Sequence, residues 1–253
     1  MLKLMKYEFR KSWFSRIVLL IAIGGFELMF LYGALFTDMK NSGAVAWGII
    51  GLIFVTIAGI SFIGLESLIN LHKDLNTKQS YMLFMTPRNG YQILGAKILE
   101  NGLCLFITSI FFLLLAGIDI SILTGKLGSV KEVFQMMQKY MDLNISWESL
   151  GQTAGIYFLE IIISWFSAIV TGYLAIIISS ALLAGKKMSG VVSFLLYLLL
   201  VTVQSKVAHV ITDTVAGGWD QIGQFAIESA VTLIFAVVIY FISCWAIDRK
   251  LSV

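Results

Sequence analysis

The chain has 253 residues, of which 58% are hydrophobic and only 13% are charged. A soluble domain typically carries about 25% charged residues, so a water-soluble fold of this size could not bury so much apolar surface. The net charge of +3 is too small, and the 18 Lys and Arg too scattered, to indicate a nucleic-acid-binding protein. We predict an all-α integral membrane protein, because the apolar runs have the length of about 20 residues that a spanning helix needs.

Residues 1–16 combine cations with an apolar stripe, which predicts an amphipathic helix at the membrane surface. The residues of the stripe, spaced for one face of a helix, are Leu2, Met5, Phe9 and Trp13. Its cations can meet anionic headgroups while its apolar side lies at the acyl boundary. A basic leader that only sets the topology is the alternative, and both roles can hold together. The run that follows is too long for a secretory signal peptide, which indicates an uncleaved first span.

Six apolar runs predict membrane-spanning helices, and no linker or repeat divides them, so we expect a single membrane domain. The predicted spans are residues 17–36, 44–65, 98–118, 153–183, 191–209 and 226–247. Thirteen of the 18 Lys and Arg fall on the side of the two termini. By the positive-inside rule, both termini are expected to be cytoplasmic, in a multi-pass protein of the plasma membrane.

The longest predicted cytoplasmic connection, residues 70–97, is too apolar for a solvated loop, since it contains the run YMLFM at 81–85. Such a cluster must be covered. A short helix across the membrane face would present it to a partner, and an interfacial helix without a partner is the alternative. Thr86 and Pro87 predict the start of the next helix. Lys97 is expected to extend towards the headgroups as that helix enters the bilayer.

Two segments on the opposite side also carry a pattern. Residues 119–152 include SVKEVFQMMQKYMDL, whose apolar residues recur at helical spacing and predict a helix on the outer face, packed there or acting as a lid. Residues 210–225 include TDTVAGGWDQIGQF, whose glycines and acids interrupt the apolar pattern. Non-helical backbone at membrane depth is tolerated only where protein or water covers it.

Two carboxylates are predicted at membrane depth, where a lone charge costs about 3 kcal/mol or more. Glu27 and Glu160 are therefore expected either to line a pathway or to pair with polar groups across the bundle. His209 and Asp213 are too few to indicate a metal site. Residues clustered as catalysis requires are not evident, so we predict neither catalytic residues nor a bound metal.

The run YMLFMTPRNGYQILGAKIL, the basic start MLKLMKYEFRK and the ending DRKLSV resemble the permease subunits of type-2 ATP-binding-cassette (ABC-2) exporters, of the short six-span bacterial kind. The similarity in order and spacing covers essentially the whole chain. It implies that a coupling helix in the first cytoplasmic loop docks on a separate ATPase and that the helix at 1–16 connects that ATPase to the membrane domain. The residues it assigns to ATPase coupling are Leu75, Lys78, Tyr81, Met82, Leu83 and Phe84. Residues 210–225 resemble a re-entrant element before the sixth span.

The sequence contains no G-x-x-x-x-G-K-S/T phosphate loop, so ATP and Mg²⁺ are expected in the partner ATPase and no cofactor in this chain. The resemblance implies a non-enzymatic permease subunit that dimerises with itself or a similar chain. Its cargo would be an amphipathic or hydrophobic compound, such as an antimicrobial or toxin peptide, a drug or a lipid. The alternatives are an ATP-independent secondary transporter, a membrane enzyme, and a membrane immunity or scaffold protein.

The predicted topology can be measured with reporter fusions. A fluorescent protein that matures only in the cytoplasm should be bright when fused after Val253, because the basic flanks hold both termini inside. Alkaline phosphatase, which is active only outside the cytoplasm, should be active when fused after Asp142. The reverse pattern at either site would contradict cytoplasmic termini.

Overall fold

The computed structural model describes residues 2–36, 42–76, 89–127, 147–183, 188–219 and 221–250. Every regular element within these ranges is helical, which confirms the predicted all-α class. The α-helices are α1 (Leu2–Lys11), α2 (Trp13–Leu31), α3 (Ser42–Asn76), α4 (Gly90–Leu127), α5 (Trp147–Leu182), α6 (Ser189–Ala216) and α7 (Gln221–Lys250). A π-helical turn at Tyr32–Phe36 extends α2.

Six helical stretches are long and apolar enough to cross a membrane, as the sequence predicts. They are Trp13–Leu35, Gly43–Asn76, Gly90–Gly125, Phe158–Leu182, Ser189–Ala216 and Gly223–Arg249. Each exceeds the roughly 20 residues that span a hydrocarbon core of about 30 Å at 1.5 Å per residue. The shortest of them has 23 residues. The chain is therefore an all-α membrane protein with six helices of transmembrane length.

The helices extend beyond the apolar runs that predict them. Helix α3 continues past residue 65 to Asn76, and α4 begins at Gly90, well before residue 98. An apolar run ends where charged residues appear, whereas a helix continues until its backbone hydrogen bonding is interrupted. The connection predicted at 70–97 is thus reduced to residues 77–89, of which 77–88, including Thr86 and Pro87, lie outside the described residues.

The predicted re-entrant segment consists largely of helix ends in the structure. Residues 210–216 are the last turns of α6, and α7 begins at Gln221. The N–H of Trp219 donates to the carbonyl of Ala216 at 2.9 Å and closes the turn between them. A Cβ at Gly217 would lie 2.4 Å from a backbone oxygen, so glycine permits this tight end. The outer helix predicted within 119–152 lies outside the described residues, except that α4 reaches Leu127.

The chain divides into two compact units. Unit 1 comprises Met1–Met5, Gly64–Leu99 and Trp147–Val253, and unit 2 comprises Lys6–Ile63 and Glu100–Ser146. Unit 1 packs around α5, whose spanning part is the most buried of the six, at 56%. Its side chains Val170, Tyr173 and Ile177 are at most 1% exposed. They belong to one apolar cluster with residues of α3, α4 and α7.

Unit 2 contains a closely packed pair, α2 and α3, in which glycines of α3 receive aromatic residues of α2. A Cβ at Gly48 would lie 2.7 Å from the Cα of Phe30, and one at Gly51 would lie 2.0 Å from the ring of Phe26. Membrane helices commonly use small residues in this way, because close approach of the backbones gains van der Waals contact that lipid cannot replace. The first two spans therefore depend on glycine at these positions.

Replacing Gly48 with Ala should destabilise unit 2, because the new methyl group meets the backbone of Phe30 rather than a movable side chain. Overpacking of this kind costs about 1–3 kcal/mol. Gly25→Ala is the matched control, since nothing lies within 4 Å of a Cβ there and Ala is the better helix former. Heating the detergent-solubilised chain and measuring the monodisperse fraction by size exclusion should give a lower midpoint for Gly48→Ala only. Equal midpoints would contradict this packing.

Candidate functional site

A buried ion pair lies where α3 and α4 flank the segment predicted to couple to an ATPase. The Nζ of Lys97 donates to Oδ2 of Asp74 at 2.6 Å. The side chains are only 4% and 8% exposed. Lys97 does not extend to headgroups as predicted, because a carboxylate on the neighbouring helix neutralises it inside unit 1. Sequence reasoning missed the pair, although opposite charges flanking one connection were a signal for it.

The start of α4 is held by the last turns of α7. The N–H of Gly90 donates to Oδ1 of Asp248 at 2.7 Å. The first N–H groups of a helix lack partners within it, so this carboxylate caps α4 from another helix. The hydroxyl of Tyr240 also donates to the carbonyl of Tyr91 at 3.1 Å. The end of α7 and the start of α4 therefore form one hydrogen-bonded corner of unit 1.

The predicted coupling residues fall mostly outside the described part of the chain. Leu75 lies near the end of α3, where it is half-buried and packs against the apolar cluster of unit 1. Its side chain therefore contributes to the core of this chain. The others, Lys78, Tyr81, Met82, Leu83 and Phe84, lie outside the described residues, and their contact with an ATPase stays a prediction.

The amphipathic helix predicted at 1–16 is interrupted. Helix α1 ends at Lys11, Ser12 takes φ −91° and ψ 3°, and Trp13 begins α2. Phe9 and Trp13 nevertheless stay together, with ring centroids 6.2 Å apart, and are 39% and 56% exposed. The other two residues of the predicted stripe are Leu2, at the start of α1, and the half-buried Met5. The aromatic part of the stripe thus faces outwards and is open to lipid or a partner.

A second ion pair lies in unit 2, next to this aromatic pair. The Nη2 of Arg16 donates to Oε1 of Glu100 at 2.9 Å, and the Sγ of Cys104 donates to the same oxygen at 3.2 Å. The guanidinium carbon of Arg16 also lies 5.1 Å from the centroid of the Phe9 ring. Arg16 therefore links the first span to α4 within unit 2.

Glu27 and Glu160, the candidate pathway residues, have different surroundings. Glu27 lies midway along α2, and its carboxyl group is within hydrogen-bonding reach of that of Asp119, also in unit 2. Oε2 of Glu27 and Oδ1 of Asp119 are buried atoms without a hydrogen-bond partner among the described residues. Glu160 lies within α5 (Trp147–Leu182), where its side chain is half-buried. The two glutamates belong to different units, and Asp119 is the polar neighbour of Glu27.

Helix α5 carries uncharged polar contacts that sequence reasoning missed, because single Ser, Thr and Gln residues do not interrupt an apolar run. On one face, Nε2 of Gln204 in α6 donates to Oγ of Ser167 at 2.5 Å, and Oγ1 of Thr171 donates to Oε1 of Gln204 at 3.3 Å. On another face, the hydroxyls of Tyr173 and Ser67 in α3 are 2.5 Å apart. Buried polar contacts thus join α5 to α3 and to α6.

Metal ligation finds no support in the described ranges, where no group of three or more His, Cys, Asp or Glu could hold an ion. His209 and Asp213 lie 3.4 Å apart, yet their side chains are 77% and 67% exposed. An exposed pair of this kind forms no cage for a cation. Cys104 and Cys244 are both buried free thiols.

Comparisons with protein-family models, with curated proteins and with solved structures find no match to this chain. What can be proposed of its function therefore comes from its own residues and from the sequence resemblance.

Gln204→Leu should lower the stability of unit 1, because it removes both hydrogen bonds that Gln204 makes to α5. Hydrogen bonds between membrane helices are worth about 0.6 kcal/mol on average and at most about 1.7, so we expect a loss of about 1 kcal/mol. Thr202→Val is the control, since the exposed Thr202 bonds only the carbonyl of Leu198 in its own helix. Reversible unfolding in mixed detergent measures both. A Gln204→Leu chain as stable as the control would contradict the role of this contact.

Proposed function

We propose that this chain is the permease subunit of an ATP-driven exporter of the ABC-2 kind, powered by a separate ATPase. One observation carries the proposal: an apolar run, YMLFM at 81–85, stands between two helices of transmembrane length, α3 and α4. A cluster of this kind on the basic, cytoplasmic side of the chain needs a cover. A docked protein partner would supply that cover.

The energy source follows from what the sequence lacks. Without a phosphate loop, the chain does not bind ATP in the way that P-loop ATPases do, so ATP-driven transport needs a second protein. The exposed rings of Phe9 and Trp13 beside the exposed Arg10 offer a further surface on the same predicted side. The resemblance implies that residues 1–16 and the connection at 77–89 each contact the ATPase.

The exported compound would be amphipathic or hydrophobic, such as a peptide, a drug or a lipid. The resemblance implies that a second copy or a similar chain completes the pathway. The spanning part of α4 is only 11% buried within the chain, which leaves apolar surface for lipid or that second subunit. ATP binding and hydrolysis would alternate the assembly between inward-open and outward-open states.

A second candidate function, ion-coupled secondary transport, is favoured by one specific contact. The carboxyl groups of Glu27 in α2 and Asp119 in α4 lie close enough to interact within unit 2. Ionisable groups inside membrane spans commonly mark ion or proton pathways. A transporter of this kind would need no ATPase, so the experiment below separates the two functions.

The tagged chain purified from its native membrane should bring an ATPase with it. Tyr81→Asp and Phe84→Asp should each abolish that co-purification, because a charge replaces apolar contact area. Tyr81→Phe and Phe84→Leu keep the apolar character and should retain the partner. Unchanged expression and elution volume of all four variants controls for misfolding.

Two results would contradict the proposal. If the wild-type chain brings no ATPase, secondary transport, a membrane enzyme or a scaffold role becomes the better interpretation. If an ATPase stays bound to both aspartate variants, docking does not use the run at 81–85.

A further inference from the structure

Two independent contacts hold the helix ends on either side of residues 77–89. The ion pair of Asp74 and Lys97 joins α3 to α4 across 2.6 Å. The carboxylate of Asp248 joins α7 to the first N–H group of α4. Both contacts lie in unit 1, and both involve residues just before or after the connection or at the end of the last span.

We propose that these contacts are a mechanical anchor: Asp74, Lys97 and Asp248 are positioning residues that fix α3, α4 and α7 as one body. Because α3 and α4 would then not slide past each other, a displacement imposed at the connection between them would be transmitted to α5. The inference rests on the proposed function, because that displacement is the one an ATPase would impose. It adds Asp248, near the end of α7, to the residues that would take part in coupling.

The burial of the ion pair makes it resist sliding of α3 along α4. A slide of one helical turn, about 5.4 Å, would separate Nζ of Lys97 from Oδ2 of Asp74, and breaking a buried ion pair is costly. Leu71 and Leu94, which lie in the same stretches of α3 and α4, are fully buried. The ion pair thus lies beside the apolar core of unit 1, and it favours one register of α3 and α4.

The anchor connects onward to α5 through polar contacts. Nδ2 of Asn76, two residues after Asp74, donates to Oγ of Ser180 at 3.4 Å. Closer to the centre of α3, the hydroxyl of Ser67 bonds that of Tyr173. Helix α5 thus contacts α3 at two positions along its length, in addition to the shared apolar cluster. Motion of the anchored body would carry α5, and with it the Gln204 contact to α6.

The Asp248 cap works because position 90 is glycine. A Cβ there would lie 2.9 Å from Oδ1 of Asp248 and 3.0 Å from the carbonyl oxygen of Cys244. The close approach of α7 therefore depends on a residue without a side chain. Asp248 itself is exposed, so its replacement tests the cap without emptying the core.

The ion pair is tested on the whole chain in lipid nanodiscs, without an ATPase. With Cys104 and Cys244 replaced by Ala, spin labels at the exposed Ile69 and Leu99 report the distance between α3 and α4. Asp74→Asn and Lys97→Met should broaden the distance distribution, and Asp74→Lys combined with Lys97→Asp should narrow it again. Lys206→Met, the same change at an exposed lysine of unit 1, should leave it unchanged. An unchanged distribution in both single variants would overturn the anchor.

The cap is tested separately, so that the proposal does not depend on the folding of Lys97 variants. Asp248→Ala should speed amide hydrogen exchange in the first turn of α4, whereas Asp248→Asn keeps an acceptor oxygen and should exchange as the wild type does. Equal exchange in all three chains would overturn the role of Asp248. A general loss of stability would instead raise exchange along α5 as well, which would also count against a local cap.

A coupling measurement separates positioning from simple stability. In the complex with its ATPase, Asp248→Ala should still bind the ATPase but lower the amount of substrate moved per ATP hydrolysed, and Asp248→Asn should restore it. An unchanged ratio would refute the positioning role. Absence of any ATPase would refute the proposed function, while the spin-label and exchange results on the chain alone would stand.

Discussion

In a hydrocarbon core every backbone N–H and C=O must find its partner within the protein, and this constraint underlies the rest of the structure. It requires helices, and it makes any charge or hydroxyl in the bundle depend on a specific neighbour. The described chain satisfies it with six long helices and with polar side chains that meet in pairs. Lys97 meets Asp74, Arg16 meets Glu100, and Gln204 meets two hydroxyls of α5.

These polar pairs and the apolar contacts make different contributions to specifying the fold. Apolar burial alone neither drives helices together in lipid nor selects a register, since a leucine face packs on lipid about as well as on another leucine face. Directional contacts select it, because an unpaired charge or amide in hydrocarbon is costly. Helix α5 shows both contributions: its apolar side chains form the centre of unit 1, while Ser167, Thr171 and Tyr173 fix where α6 and α3 lie along it.

The fold class and the six spans could be predicted from the sequence, because apolar length alone determines them. The pairing of polar residues between helices could not be predicted from the sequence. Asp74 and Lys97 stand beyond the apolar runs, where interfacial placement is the ordinary expectation, and only the length of α3 and α4 shows that they meet. Gln204 and Thr171 are invisible for another reason, since single uncharged polar residues hardly alter the hydropathy of a span. Glu27 is recognisable in the sequence as a costly charge. The sequence places Asp119 in the outer segment 119–152, because α4 continues past the apolar run that ends at residue 118.

The glycines of α3 affect how the helices assemble in the membrane during synthesis. Phe26 and Phe30 sit so close to Gly51 and Gly48 that no acyl chain fits between α2 and α3. The contact needs only α2 and α3, which leave the ribosome before α4 is synthesised. The pair can therefore enter the bilayer as a helical hairpin and provide a finished surface on which α4, synthesised next, assembles. The helices of unit 2 can therefore pack in the order in which they are synthesised.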